Sequence, residues 1–303
     1  MQHSKSIRPS FLKQGDCVGI VAPARKISEA ELLPSIKILQ GWGLNVKLGK
    51  HIYAVDKQFA GDDDKRRHDF QAMLDDAEVR AIFSARGGYG AVRIIDALDF
   101  SLFKKYPKWI VGYSDVTVFH SHIHAHTGIE TLHSTMPINF EKDTESLQLL
   151  KNALFGETIS YNYDSNSMDR EGEGEGILVG GNLSLLYALA STPSDINTEG
   201  KILFLEDLDE YLYHIDRMMM QLKRGDKLAK LKGLVIGGFS EMKDNAVPFG
   251  KTAEEIIMDA VKEYSYPVSF GFPAGHGQKN YPLFLGRTAK ISVGKKVELS
   301  FTS

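Results

Sequence analysis

The segment Trp109-Ile-Val-Gly-Tyr-Ser114-Asp115 places a serine where an apolar run gives way to a helical pattern. A tight strand-to-helix turn exposes the hydroxyl, and the first helical N–H, that of Asp115, points at the oxygen of a tetrahedral intermediate. This is a nucleophile-elbow position, although the pattern is half complete. Gly112 lies two residues before Ser114, but Val116 stands where a glycine is usual two residues after. The competing role for Ser114 is a helix N-cap, for which serine is among the preferred residues.

A second junction, Ala85-Arg86-Gly-Gly-Tyr-Gly90, lets the backbone approach a ligand and turn its N–H groups outward, as an oxyanion or anion site requires. Arg86 has the geometry to hold a carboxylate bidentately there; a tight connection without a ligand is the plain alternative. The run Lys201-Ile-Leu-Phe-Leu-Glu206 ends in an acidic cluster of Glu206, Asp207, Asp209 and Glu210. Period-two alternation sets Glu206 at the end of the buried row of Ile202 and Phe204, and a buried acid needs a partner. Asp207, Asp209 and Glu210 read as solvated or helix-starting charges. The partner expected for Glu206 is His276, which sits between Gly275 and Gly277 with no packing rationale from its neighbours.

Other conspicuous side chains read as structural. His120, His122, His124 and His126 form two i, i+4 pairs on a helix, but neither pair has an acidic third ligand nearby, so a polar, partly exposed helix is expected rather than a metal site. Met218, Met219 and Met220 read as adaptable core filling. Cys17 is the single cysteine, which excludes a disulfide framework and cysteine-based zinc sites. Neither a P-loop nor a helix-opening dinucleotide fingerprint occurs, and no cofactor is called for.

These groups must be positioned by a chain of 303 residues with formal net charge −3, which calls for no nucleic-acid partner. Charged residues at 25% and hydrophobic residues at 43% fit a folded globular protein. No signal peptide can be drawn in MQHSKSIRPSFLKQGD and no apolar stretch is long enough to cross a bilayer, so a cytoplasmic protein without membrane attachment is expected. The first half alternates strands at 17–22, 44–48, 79–85 and 109–112 with helices at 29–42, 62–77, 91–98 and 115–126, and a further helix covers 143–155. That order predicts a parallel sheet covered by helices on both faces, with chemistry at the carboxyl ends of its strands. The polar stretch 156–176, with its EGEGEG, reads as a flexible link, an acidic metal site being the weaker alternative, and cleft closure would fall under its control. The domains expected are therefore 1–155, carrying the nucleophile, and 177–303, with strands near 201–205, 231–237, 267–270, 289–293 and 296–301 and helices near 182–190, 211–223 and 252–263.

Taken together, the chain resembles the LD-carboxypeptidase family, the serine peptidases of the murein LD-carboxypeptidase and microcin-immunity type. The resemblance spans residues 8–300 and rests on Gly19-Ile-Val-Ala-Pro23, Arg86-Gly-Gly-Tyr-Gly90, Gly112-Tyr-Ser-Asp115, Gly180-Gly-Asn-Leu183, the Glu206-to-Arg217 segment, and Gly275-His-Gly277 with Pro282 and Gly286. It implies a flavodoxin-like N-terminal sheet and a smaller C-terminal α/β domain with a barrel-like or swivelling sheet. It also implies a triad of Ser114, His276 and Glu206, an oxyanion hole from the amides of Asp115 and Gly88 with Gly87 not excluded, and a homodimer. The implied reaction is metal-free release of the terminal D-alanine from cytoplasmic murein tetrapeptides through an acyl-enzyme. Arg86 would take the substrate's terminal carboxylate. One departure is His133-Ser134-Thr-Met136, where the family more often has His-Gly-Pro. The immunity-type relatives cut an amide in a peptide-nucleotide and stack its base on an aromatic. Trp42 and Trp109 both lie in the first half, which favours the murein peptide; a non-catalytic peptide-binding relative is the remaining alternative.

Overall fold

The computed structural model describes residues 6–302. Residues 1–5, part of the segment in which no signal peptide could be drawn, and Ser303 lie outside the described residues. The first half lays down β1 (Cys17–Val21), α1 (Glu29–Gly41), β2 (Asn45–Leu48), α2 (Asp63–Asp75), β3 (Val79–Ser84), α3 (Ser101–Lys105), β4 (Trp109–Gly112), α4 (Thr117–Thr127), β5 (Thr131–His133) and α5 (Thr144–Phe155). Local chemistry sets several starts: Ser28 and Glu31 close a capping box on α1, and Asp62 caps α2 through the Lys65 N–H at 2.8 Å. The strands pair parallel in the order β2-β1-β3-β4-β5, the flavodoxin-like arrangement. Ile82 and Ile110 face Phe70 of α2 and Phe119 of α4, while Phe83 and Val111 face Leu32 of α1 and Leu150 of α5. Burial on both faces is why these strands read as continuous apolar runs.

The helix expected at 91–98 is instead two 3₁₀ turns, Ala91–Arg93 and Ile95–Ala97. Each turn closes with an i to i+3 hydrogen bond, from the Ile94 N–H to the Ala91 carbonyl at 3.1 Å and from the Leu98 N–H to the Ile95 carbonyl at 3.2 Å, and Ile94 and Ile95 are both buried.

The second half contributes β6 (Ser160–Asp164), β7 (Gly172–Asn182), α6 (Leu183–Leu189), β8 (Ile202–Leu208), α7 (Leu212–Arg224), β9 (Gly233–Ser240), α8 (Ala253–Val261), β10 (Val268–Ser269), β11 (Leu283–Leu285), β12 (Thr288–Val293) and β13 (Lys296–Phe301). A second sheet runs β10-β9-β8-β7-β12-β13-β6, parallel from β10 to β7 and antiparallel beyond. Arg170 and Val268 exchange backbone hydrogen bonds of 2.9 and 3.1 Å, and Tyr163 Oη meets Ser269 Oγ at 2.8 Å. These contacts draw the two ends of the sheet together, giving the barrel-like roll.

Two boundaries differ from the sequence reading. The stretch 156–176 is not a flexible link, because β6 and the first half of β7 occupy much of it. EGEGEG is a period-two strand with exposed glutamates on one face and glycines on the other. A Cβ on Gly174 would fall 1.9 Å from the Lys232 carbonyl oxygen, so only glycine admits the neighbouring backbone. The second half is also not self-contained, since β11 pairs antiparallel with β5 and forms the edge of the first sheet. Across the junction, Arg287 Nε and Nη2 donate to buried Glu130 at 2.8 and 2.6 Å.

Candidate active site

Fully buried β4 carries the chain directly to Ser114, whose φ is +61°. A non-glycine residue in this left-handed region costs on the order of 1–3 kcal/mol and persists only when the surrounding fold imposes it. Ser114–Val116 form a 3₁₀ turn, and α4 starts afterwards with no side-chain cap, so helix capping does not account for the serine. The Val116 side chain fills the space beside Gly112, where a Cβ would come within 2.7 Å of it. The sharp bend therefore forms without the usual second glycine. His120 is buried in α4 and its Nε2–H donates to the Gly112 carbonyl at 2.9 Å, bracing the bend from behind.

The turn after β3 wraps this serine. A Cβ on Gly87 would stand 3.0 Å from Ser114 Oγ, while the Arg25 side chain crosses Gly88. Asp115 is buried, and its Oδ2 accepts the Ala91 N–H at 2.8 Å, tying the elbow to that turn. Burial pushes the Asp115 carboxyl up to about 6, against the Ala91 hydrogen bond and the Arg66 charge. Sequence reasoning used only the amide of this residue.

Glu206 is fully buried at the bend of β8, where the register shifts, and its Oε2 meets His276 Nδ1 at 2.8 Å. The His276 loop, between β10 and β11, makes this contact because position 275 is glycine: a Cβ there would lie 2.8 Å from Glu206 Oε2. The loop is fixed further by the Gly275 N–H donating to Asn280 Oδ1 at 3.0 Å and Lys142 Nζ donating to the Gly277 carbonyl at 2.7 Å. Burial lowers the His276 imidazole pKa, but the hydrogen bond and charge of Glu206 outweigh it and the net direction is upward. The ring packs 4.9 Å from that of Tyr113. His276 and Ser114 line one cleft of about 390 Å³, together with Arg25, Arg86, Gly87 and Gly88. Ser114 at the carboxyl end of β4 and His276, paired with Glu206 of β8, are distant in sequence and face one cleft.

Known proteins share this fold. Residues 18–134 match the LD-carboxypeptidase N-terminal domain and residues 175–291 the LD-carboxypeptidase C-terminal domain. The chain belongs to the LD-carboxypeptidase family. It is 37% identical to the probable murein peptide carboxypeptidase of Bacillus subtilis, covering 97% of this chain and 94% of that one. The muramoyltetrapeptide carboxypeptidase of Oxalobacter formigenes superposes with a TM-score of 0.86 at 28% identity, covering 95% of this chain and 99% of that one. MccF in complex with glutamyl sulfamoyl guanosine matches at TM-score 0.88 and 20% identity, covering 99% of both chains, which is a likeness of fold. Membership places this protein among peptidases.

For this LD-carboxypeptidase family member several side chains lie elsewhere than the sequence implied. Asp207 is buried, not solvated: its carboxylate accepts from Asn182 Nδ2 at 3.0 Å and from the Ser184 and Leu208 N–H groups at 2.8 Å each. Burial, then the Glu206 charge, pushes it up to about 7. The bulge in β8 turns two consecutive acids inward, which alternation could not reveal. Arg86 lines the cleft but also donates to the Lys26 carbonyl at 3.2 Å. Arg25, which sequence reading did not single out, also lines the cleft.

The histidine run does not gather into one group. His120 is buried behind the elbow, His122 Nδ1 meets Ser194 Oγ at 2.9 Å, His124 Nε2 meets Lys201 Nζ at 2.8 Å, and His126 Nε2–H donates to the Pro193 carbonyl at 2.7 Å. The expected partly exposed helix is therefore corrected at 120, which is buried, because α4 is sandwiched between the first sheet and α6. Met218 and Met219 fill the second core, while Met220 is exposed. His133 and Ser134 are fully buried behind the cleft and Met136 lines it; Trp42 and Trp109 do not. Among the described residues no helix is long and apolar enough to cross a membrane. The group able to hold a metal among the described residues, His51, His68 and Asp69, does not line the cleft.

Proposed function

We propose that this protein is a serine-type LD-carboxypeptidase that removes the terminal D-alanine from murein tetrapeptide without a metal. The observation that supports it most is the 2.8 Å Glu206–His276 pair facing the same cleft as a strained serine elbow. Ser114 Oγ attacks the carbonyl carbon of the L,D bond as His276 Nε2 takes its proton. Glu206 accepts the Nδ1–H, fixes the tautomer and offsets the imidazolium charge. The oxyanion is met by the Asp115 and Gly88 amides, with Gly87 the alternative second donor; each donor in such a hole is worth about 10²–10³ in rate. His276 then protonates the departing D-alanine nitrogen. Water enters, gives its proton to the same imidazole and releases Ser114 from the acyl-enzyme.

Arg86 supplies the charge for the substrate's terminal carboxylate, with the guanidinium N–H groups not directed at Lys26. Arg86→Ala should raise KM by about tenfold or more with the acylation burst unchanged, as expected for loss of a hydrogen bond to a charged group. Unchanged kinetics would remove Arg86 from substrate binding. From the family resemblance we also assign action in the cytoplasm, in peptidoglycan recycling, as a homodimer; sedimentation of the purified protein at twice the monomer mass tests the last point.

The deciding experiment supplies the purified protein with murein tetrapeptide and, separately, with an aminoacyl sulfamoyl nucleoside, in the presence and absence of a chelator. D-alanine release from the first, unaffected by the chelator, is expected. Cleavage of the nucleoside alone would make the protein an immunity-type amide hydrolase, and cleavage of neither would leave a peptide-binding relative.

A further inference from the structure

Outside the cleft, three side chains with metal-ligating atoms converge where the turn after β2 meets α2. Asp69 lies on the buried side of α2, and its Oδ2 accepts the His51 N–H at 2.7 Å. The other oxygen, Oδ1, faces two imidazoles at once: His51 Nδ1 at 2.8 Å and His68 Nδ1 at 3.3 Å. The two rings stand edge to face, 5.2 Å apart. All three ligand atoms fall within 4.8 Å of one another. The carboxylate is nearly sealed from solvent, whereas the side chains of His51 and His68 are 25% and 55% exposed. The group is thus reachable from one side.

We propose that His51 Nδ1, His68 Nδ1 and Asp69 Oδ1 form a binding site for a divalent transition metal of the zinc type. Tetrahedral zinc holds N and O ligands at about 2.0–2.2 Å, which sets neighbouring ligand atoms roughly 3.4 Å apart. The trio is already close to that spacing and needs only small side-chain rotations. Two imidazoles and one carboxylate suit zinc and its neighbours better than magnesium or calcium, which take all-oxygen shells. The His51 backbone N–H holds the second carboxylate oxygen, the kind of outer contact that orients a ligand. The exposed side of His68 leaves a fourth position for water. Each imidazole must lend its Nδ1 lone pair with one proton on Nε2, so a neutral ring protonated at Nδ1 must change tautomer and a doubly protonated ring must release one proton.

Such an ion would pin the segment after β2 to α2. That helix also carries buried Arg66, whose Nη1 donates to the carbonyls of Pro23 at 2.6 Å and Gly90 at 3.0 Å. The site would therefore stiffen the support of both loops beside the cleft while supplying no catalytic group.

The test is calorimetric titration of the whole protein with zinc chloride, repeated with cobalt(II), whose visible bands intensify in four-coordinate sites. One ion per chain is expected. His68→Ala, a change on an exposed helix position that leaves the fold intact, should weaken zinc binding by more than the roughly 10–100-fold typical of an outer-shell partner and remove the cobalt bands. His51→Ala should do the same. Absence of saturable binding overturns the proposal. So does binding of unchanged strength in His68→Ala, which would put the ion elsewhere, for instance at the His122–His126 pair. Peptide turnover is not the readout, so a failed peptidase assignment leaves this result interpretable.

Discussion

Replacing Ser114 by alanine should lower kcat by about 10⁶-fold, the scale seen when a triad nucleophile is removed, while tetrapeptide binding stays within about threefold. In the proposed mechanism the hydroxyl forms the covalent bond, so what would remain is polarisation of the carbonyl by the turn amides. Burst-phase release of D-alanine should vanish together with steady-state turnover. The backbone offers an independent readout. Because position 114 sits at φ +61°, Ser114→Gly should relieve strain and raise stability by about 1 kcal/mol, whereas alanine should not. Full D-alanine release by Ser114→Ala would end the covalent mechanism, and no difference in melting between the glycine and alanine variants would end the strain argument.

Glu206→Gln should reduce kcat by about 10⁴-fold, since an amide can donate to Nδ1 and so favour the wrong imidazole tautomer. It should also move the acid limb of the kcat/KM profile. As the proposed base, His276 would act only when neutral. In the native site the Glu206 hydrogen bond and charge, opposed by burial, hold its pKa above the ordinary 6.5, so activity is lost as pH falls through a value above 6.5. Without that carboxylate the effect of burial dominates and the limb should shift to lower pH. A limb that stays in place or rises would deny Glu206 its electrostatic role, an outcome that packing damage alone could not imitate.

The residues most readable from sequence were those whose neighbours had no other use for them. His276 between two glycines and Ser114 at the end of an apolar strand both stood out, and the structure gives each a reason: Gly275 admits Glu206, and Gly87 admits Ser114. The parallel order of the first sheet was also legible, because its strands are apolar on both faces. What escaped was set by long-range packing. Strands β5 and β11 are only three residues long, too short for periodicity to register. EGEGEG imitates a linker because its inner face has no side chains at all. The inward turn of Asp207, the carboxylate contact of Asp115 with Ala91 and the His120 brace depend on a bulge, a 3₁₀ turn and a buried carbonyl that a linear pattern does not encode.

The short strand β11 has a consequence for how substrate enters. The backbone leaves the rolled sheet after β10, carries His276 past the serine, joins the opposite sheet beside β5, and returns as β12. Ser114 and His276 are thereby interlocked by one continuous excursion of chain. A clamshell motion wide enough to part them would have to unzip β11 from β5.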